Sequence, residues 1–121
     1  MTESHDLSPF QLAELPSAIA GYLSAQDDRL RRASAIEVFG SEAHVRDDGI
    51  DYRGSDAIRA WLTTVASEFT YTTTFIGQRH EGADRWVVVA RLEGDFPGGI
   101  VELRYRFTLR DGLIDDLVIA P

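Results

Sequence analysis

The stretch VRDDGIDYRGSDAIRAWL, from Val45 to Leu62, decides how the chain is read. Just before and within it, Ala43, Val45 and Asp47 alternate with His44 and Arg46. Successive side chains of a strand point to opposite faces, so Asp47 shares the apolar face of its strand. An ionised carboxylate turned inward is costly unless it is paired, wetted or used. Asp47 is therefore either a polar group of a pocket or a carboxylate that caps the bend at Asp48-Gly49. Asp48 reads as the turn residue.

Beyond that bend a second turn surrounds Arg53-Gly54. Ser55 is expected to N-cap a helix carrying Ile58, Trp61, Leu62 and Val65 on one stripe. Upstream, Pro16 suits the first position of a helix starting near Leu15, with Ile19, Tyr22, Leu23 and Gln26 at helical spacing. A second helix is expected from Asp28 to Phe39, with Leu30, Ala33, Ile36 and Phe39 inward and Gly40 as its terminator.

From Glu68 the period changes to two. Phe69, Tyr71, Thr73 and Phe75 alternate, the chain turns at Gly82-Ala83-Asp84, and a second run follows from Arg85 to Leu92. After a turn at Phe96-Pro97-Gly98-Gly99, Val101, Leu103, Tyr105, Phe107 and Leu109 alternate with Glu102, Arg104, Arg106, Thr108 and Arg110. Asp111-Gly112 signals a hairpin into a last strand, Leu113 to Ile119. This layout is α+β: about three helices on a strongly curved, mostly antiparallel sheet, cone-shaped, with a pocket between the layers. Residues 1–8 are expected to be a flexible tail and 9–121 a single domain.

The composition narrows the function. At 121 residues, 44% hydrophobic and 26% charged, the chain has the make-up of a globular domain and not of a disordered one. A net charge of −8 opposes binding to nucleic acid, whose phosphates call for a basic face. Arg29, Arg31 and Arg32, beside Asp27 and Asp28, read as a solvated helix face. The absence of cysteine removes disulfides, thiol catalysis and thiolate metal sites. No apolar run is long enough to span a bilayer, and MTESHDLSPF lacks the pattern of a secretion signal, so no membrane contact and a cytoplasmic location are expected. His5, His44 and His80 lack metal-motif spacing, and no phosphate loop, dinucleotide fingerprint or serine elbow occurs. No metal and no cofactor are expected.

The order and spacing of VRDDGIDYRGSDAIRAWL, GDFPGG and LRYRFTLRDGLIDDLVI resemble the nuclear transport factor 2-like superfamily. Within it they resemble the SnoaL-like polyketide-cyclase and ketosteroid-isomerase branch, from about Pro16 to Ile119. The resemblance implies a cone with a ligand pocket at its open end, and a homodimer formed through the sheet. Asp47 matches the family's general base, and Tyr22, in AGYLSAQD, resembles the helix tyrosine that donates a hydrogen bond to the substrate oxygen. Tyr22 also reads as an ordinary core aromatic. Tyr105, Trp61, Phe75, Leu103 and Phe107 are the expected pocket residues, and each equally suits packing. The family's second donor, a protonated carboxylic acid on the strand that here reads VELRYRF, has no counterpart; Leu103 and Tyr105 face inward there.

The implied function is a cofactor-free isomerase, cyclase or dehydratase that uses Asp47 as base on an enolisable, apolar carbonyl compound. The alternatives are a non-catalytic binder of a small apolar ligand, or a dimeric association module with Arg104, Arg106 and Arg110 on its outer face.

Overall fold

Alternation of period two produces most of the architecture. The computed structural model describes residues 7–25, 29–65 and 70–121, and among these seven strands form one sheet. They are β1 (Ser8–Pro9), β2 (Phe39–Asp47), β3 (Ile50–Arg53), β4 (Tyr71–Gly82), β5 (Arg85–Gly94), β6 (Ile100–Arg110) and β7 (Leu113–Ala120). Their order is β1-β4-β5-β6-β7-β2-β3. Strand β2 runs parallel to β7, and the other pairs are antiparallel. The meander β4 to β7 forms as its alternation implies. Asp48-Gly49 (φ 54° and 78°) and Asp111-Gly112 (φ 54° and 80°) close two hairpins with positive φ at both positions, which Asp-Gly tolerates best.

The helices are α1 (Ser17–Ser24), α2 (Arg29–Ser34) and α3 (Ser55–Ala60), and the chain is the expected α+β cone with an open, strongly curved sheet. Helix α1 starts directly after Pro16 and buries Ile19, Tyr22 and Leu23. Ile58, Trp61 and Leu62 are likewise buried, and α3 passes into a π-helical turn, Trp61–Val65, a distortion frequent at functional sites. No helix of the described residues is long and apolar enough to cross a membrane.

Three boundaries differ from the sequence reading. Helix α1 begins at Ser17, with Pro16 as its cap and not its first residue. The second helix gives way at Ser34 to a 3-10 turn, Ala35–Val38, and Phe39 begins β2, so Gly40 lies within a strand and terminates no helix. Phe39 pairs with Ile114 of β7 and meets the Tyr22 ring edge-on at 5.8 Å, so tertiary packing overrides the helical stripe. The cap of α3 is Gly54, at φ 85°, and not Ser55. Ser55 is the first helical residue, its hydroxyl turned to the Ser41 carbonyl at 3.5 Å.

Gln26, Asp28 and Phe69 lie outside the described residues, as do the side chains of Leu30 and Val65. So do residues 1–6 of the expected tail, while Ser8 pairs with Gln78 of β4.

Candidate functional site

Strand β2 sets the site. Ala43 and Val45 are wholly buried, and one step nearer the open end Asp47 is half-buried on the same face. In register, Asp47 lies beside Ile119 of β7, and Ile119 lies beside Tyr105 of β6. Tyr105, Ile119 and Asp47 thus form one row across the curved sheet. Asp47 Oδ2 accepts a hydrogen bond from Trp61 Nε1 at 3.0 Å. Among the described residues no other hydrogen bond reaches this carboxylate. Burial raises the Asp47 pKa above the ordinary value; the Trp61 hydrogen bond works against that rise, and the charge of Asp48 adds to it. A single oriented donor therefore holds a partly desolvated carboxylate whose proton affinity is increased, which is how a general base is prepared.

A cavity of about 420 Å³ opens onto Asp47. Leu92, Val101, Leu103 and Ile119 form apolar wall, and Phe96, Pro97, Ile100 and the terminal Ala120-Pro121 complete it. Asp47, Asp48 and Tyr71 supply its polar groups. The volume lies within the range of small-molecule sites, and the pattern of apolar wall with few polar groups is theirs too.

Of the residues expected from sequence, Asp47 and Leu103 line this cavity. Tyr105 lies one inward step beyond Leu103 on β6, 3% exposed. Its hydroxyl makes no hydrogen bond among the described residues. Burial pushes the phenol pKa up, Tyr71 and Asp47 add to that, and Arg32 opposes it. Tyr105 is accordingly a protonated donor across the neutral range.

Tyr22 stands at the centre of an aromatic cluster. Trp61 lies nearly parallel to it at 6.4 Å, Tyr105 is tilted at 6.4 Å, and Phe107 is edge-on at 5.9 Å. These four rings are core residues and are not among those lining the cavity. Phe75 is also absent from the lining and stacks on Phe10 at 4.6 Å.

Arg32 and Tyr71 escaped the sequence reading. Arg32 is no part of a solvated face: it is 7% exposed, with its guanidinium carbon 5.5 Å from the Tyr71 ring centre. The available signal was its place four residues before Ile36, on the edge of the apolar stripe. Tyr71 was visible only as one member of an alternating run.

His44 is on the opposite face from Asp47, as the alternation implies. Its ring nitrogens lie 2.7 Å from Asp116 Oδ1 and 2.6 Å from Asp51 Oδ1, and Arg46 donates two hydrogen bonds to Asp51. Arg46 first, then His44, holds the Asp51 carboxyl well below the usual range. The cluster ties β3 to β2 and β7. Among the described residues no group of three or more His, Cys, Asp and Glu side chains is placed to hold a metal ion.

No family model and no curated protein matches the sequence. Solved structures do. The crystal structure of a candidate polyketide cyclase from Sinorhizobium meliloti is 32% identical, covers 92% of this chain and 100% of that one, and has a TM-score of 0.80. The chain belongs to the nuclear transport factor 2-like superfamily, in its SnoaL-like and ketosteroid-isomerase-like branch.

More distant members share the fold of this SnoaL-like chain. Δ5-3-ketosteroid isomerase from Mycobacterium sp. is 18% identical, covering 87% of this chain and 90% of that one, at a TM-score of 0.70. A Mycobacterium tuberculosis protein solved with estradiol-17β-hemisuccinate is 16% identical, covering 86% and 90%, at 0.71. The SnoaL-like chain shares this fold and carries a cavity of the size of small-molecule sites.

Proposed function

We propose that this protein is a cofactor-independent enzyme of the isomerase, cyclase or dehydratase type, acting on an enolisable and largely apolar carbonyl compound. One observation carries the reading: a half-buried carboxylate, Asp47, faces an apolar cavity with its pKa raised by burial. Asp47 takes a proton from the carbon beside the carbonyl. The C–H electron pair becomes a carbon–carbon double bond, and the carbonyl oxygen takes the negative charge. A phenol donates a hydrogen bond to that oxygen: Tyr105, which stands just behind the cavity wall beside Ile119 and makes no hydrogen bond among the described residues, with Tyr22 packed against it. The carboxylic acid of Asp47 then returns the proton to carbon. The 32% identical candidate polyketide cyclase agrees with a carbonyl substrate.

The test is a screen of enolisable carbonyl compounds with wild type and Asp47→Asn. The variant should lose at least about 100-fold in turnover, the usual weight of a general base, and keep its affinity for the ligand. Equal turnover would remove Asp47 from the mechanism.

A second reading, a non-catalytic binder of a small apolar ligand, is favoured by β6. The inner face of that strand presents Leu103 and Tyr105, while its one carboxylic acid, Glu102, is exposed and offers no second oxyanion donor. Tight binding without turnover by wild type would select it. Pairing of two copies through the outer face of the sheet, where Arg104 and Arg106 stand, belongs to the same proposal and is tested by sedimentation.

A further inference from the structure

His44 stands on the outer face of β2, behind the pocket face that carries Asp47, and carboxylates engage both of its ring nitrogens. Nε2 lies 2.6 Å from Asp51 Oδ1 on β3, and Nδ1 lies 2.7 Å from Asp116 Oδ1 on β7. A neutral imidazole has one N–H and one lone pair, so it satisfies one carboxylate and turns its lone pair on the other. Only the imidazolium donates to both. Arg46 grips Asp51 with two parallel hydrogen bonds, 2.9 and 3.0 Å long, which fixes that group as the carboxylate. The charged groups facing the ring are Glu42 and Arg46 on β2, Asp51 and Arg53 on β3, and Asp116 on β7. Arg106 of β6, two strands away, is turned to Glu81 at 3.9 Å. Carboxylates thus outnumber guanidinium groups around the ring, and the imidazolium supplies the missing positive charge. The cluster sits where the sheet is thinnest. Strand β3 is the sheet edge, four residues long and paired to β2 alone, and its hairpin with β2 brings Asp47 and Asp48 to the cavity. So short an edge depends on side-chain ties, and here they converge on His44.

We propose that His44 is a positioning residue for the Asp47 pocket: as the imidazolium it clips β3 and β7 to the two sides of β2, and loss of one ring proton as pH rises opens the clip and loosens the hairpin that carries Asp47 and Asp48. At the opened contact a lone pair faces a carboxylate oxygen at hydrogen-bond distance, so the ring or the strand must give way. The inference deepens the function proposed above and rests on the Asp47 cavity being the functional site.

The test is NMR on the isotope-labelled full chain, without ligand, as pH is raised from neutral in wild type, His44→Gln and Asp116→Asn. At neutral pH both ring nitrogens of wild-type His44 should give the signature of N–H. Hydrogen-exchange protection of the β3 amides, corrected for the intrinsic rise of exchange with pH, should fall at least about tenfold across the titration of His44. The Asp47 carboxyl carbon and the Trp61 indole N–H should report a step at the same pH. His44→Gln keeps a polar side chain that does not ionise, and should lack both steps. Asp116→Asn should give up the second ring proton at lower pH than wild type, having lost the charge that holds it. A bare ring nitrogen in wild type at neutral pH would overturn the proposal. So would β3 protection, or an Asp47 resonance, that ignores the titration of His44. No readout uses a substrate, so the clip stands even if Asp47 proves to be no base, and loss of the clip leaves that role intact.

Discussion

Trp61 Nε1 donates to Asp47 Oδ2 at 3.0 Å, joining the end of strand β2 to the turn that follows helix α3. The bond fixes the carboxylate's direction and offsets part of its desolvation. Trp61→Phe keeps an aromatic ring and removes the donor. Asp47 should then titrate at higher pH, and the acid limb of any activity profile should move up with it. The variant should also lose about 1.5–3 kcal/mol of stability, the value of a hydrogen bond to a charged group. Carboxyl-carbon NMR titration checks the shift; an unchanged Asp47 would mean that Trp61 only packs.

Asp47 should also be a liability to the fold. Its folded-state pKa is raised, so stability is complete below the unfolded pKa and falls as pH rises through the folded one. Asp47→Asn removes that fall. Urea melts should show the variant more stable than wild type at neutral pH, with the gap closing in acid. A gap that is the same at both pH values would contradict the desolvated placement.

Asp51 has the opposite sign. Its carboxyl is depressed by Arg46 first and His44 second, so its contribution is present above the unfolded pKa and lost as pH falls. Arg46→Met should therefore raise the Asp51 pKa more than His44→Ala does. The reverse order, read by the same NMR titration, would make His44 the principal partner.

Tyr22 separates packing from hydrogen bonding. Four rings surround it, so Tyr22→Ala should cost about 3–5 kcal/mol in chemical denaturation, as large core truncations do. Tyr22→Phe should retain most of that packing. If Tyr22→Phe also lowers turnover, its hydroxyl takes part with Tyr105; if turnover holds, Tyr105 suffices.

Legibility in the sequence followed the strength of the local period. The run from Val101 to Leu109 and the Asp111-Gly112 turn specify β6, its hairpin and the face of Tyr105 without ambiguity. Alternation through Ala43, Val45 and Asp47 likewise put Asp47 on the inner face. Phe39 was misread because Ile36 and Phe39 also fit a helical stripe, and only the distant pairing with Ile114 of β7 decides between the two. The Trp61–Asp47 bond joins elements separated by two turns, so no local pattern encodes it. Arg32 was missed for a related reason: charge predicts exposure, and the ring that receives it stands on β4, far along the chain.

The most direct measurement is exchange of the hydrogens beside a carbonyl with solvent deuterium, followed by NMR for bound enolisable ketones. It reads the proton transfer itself and needs no knowledge of the final product. Wild type should exchange at least about 100-fold faster than Asp47→Asn at equal ligand occupancy. Equal exchange by the two, with the ligand bound in both, would contradict Asp47 as the base and leave the cavity as a binding site.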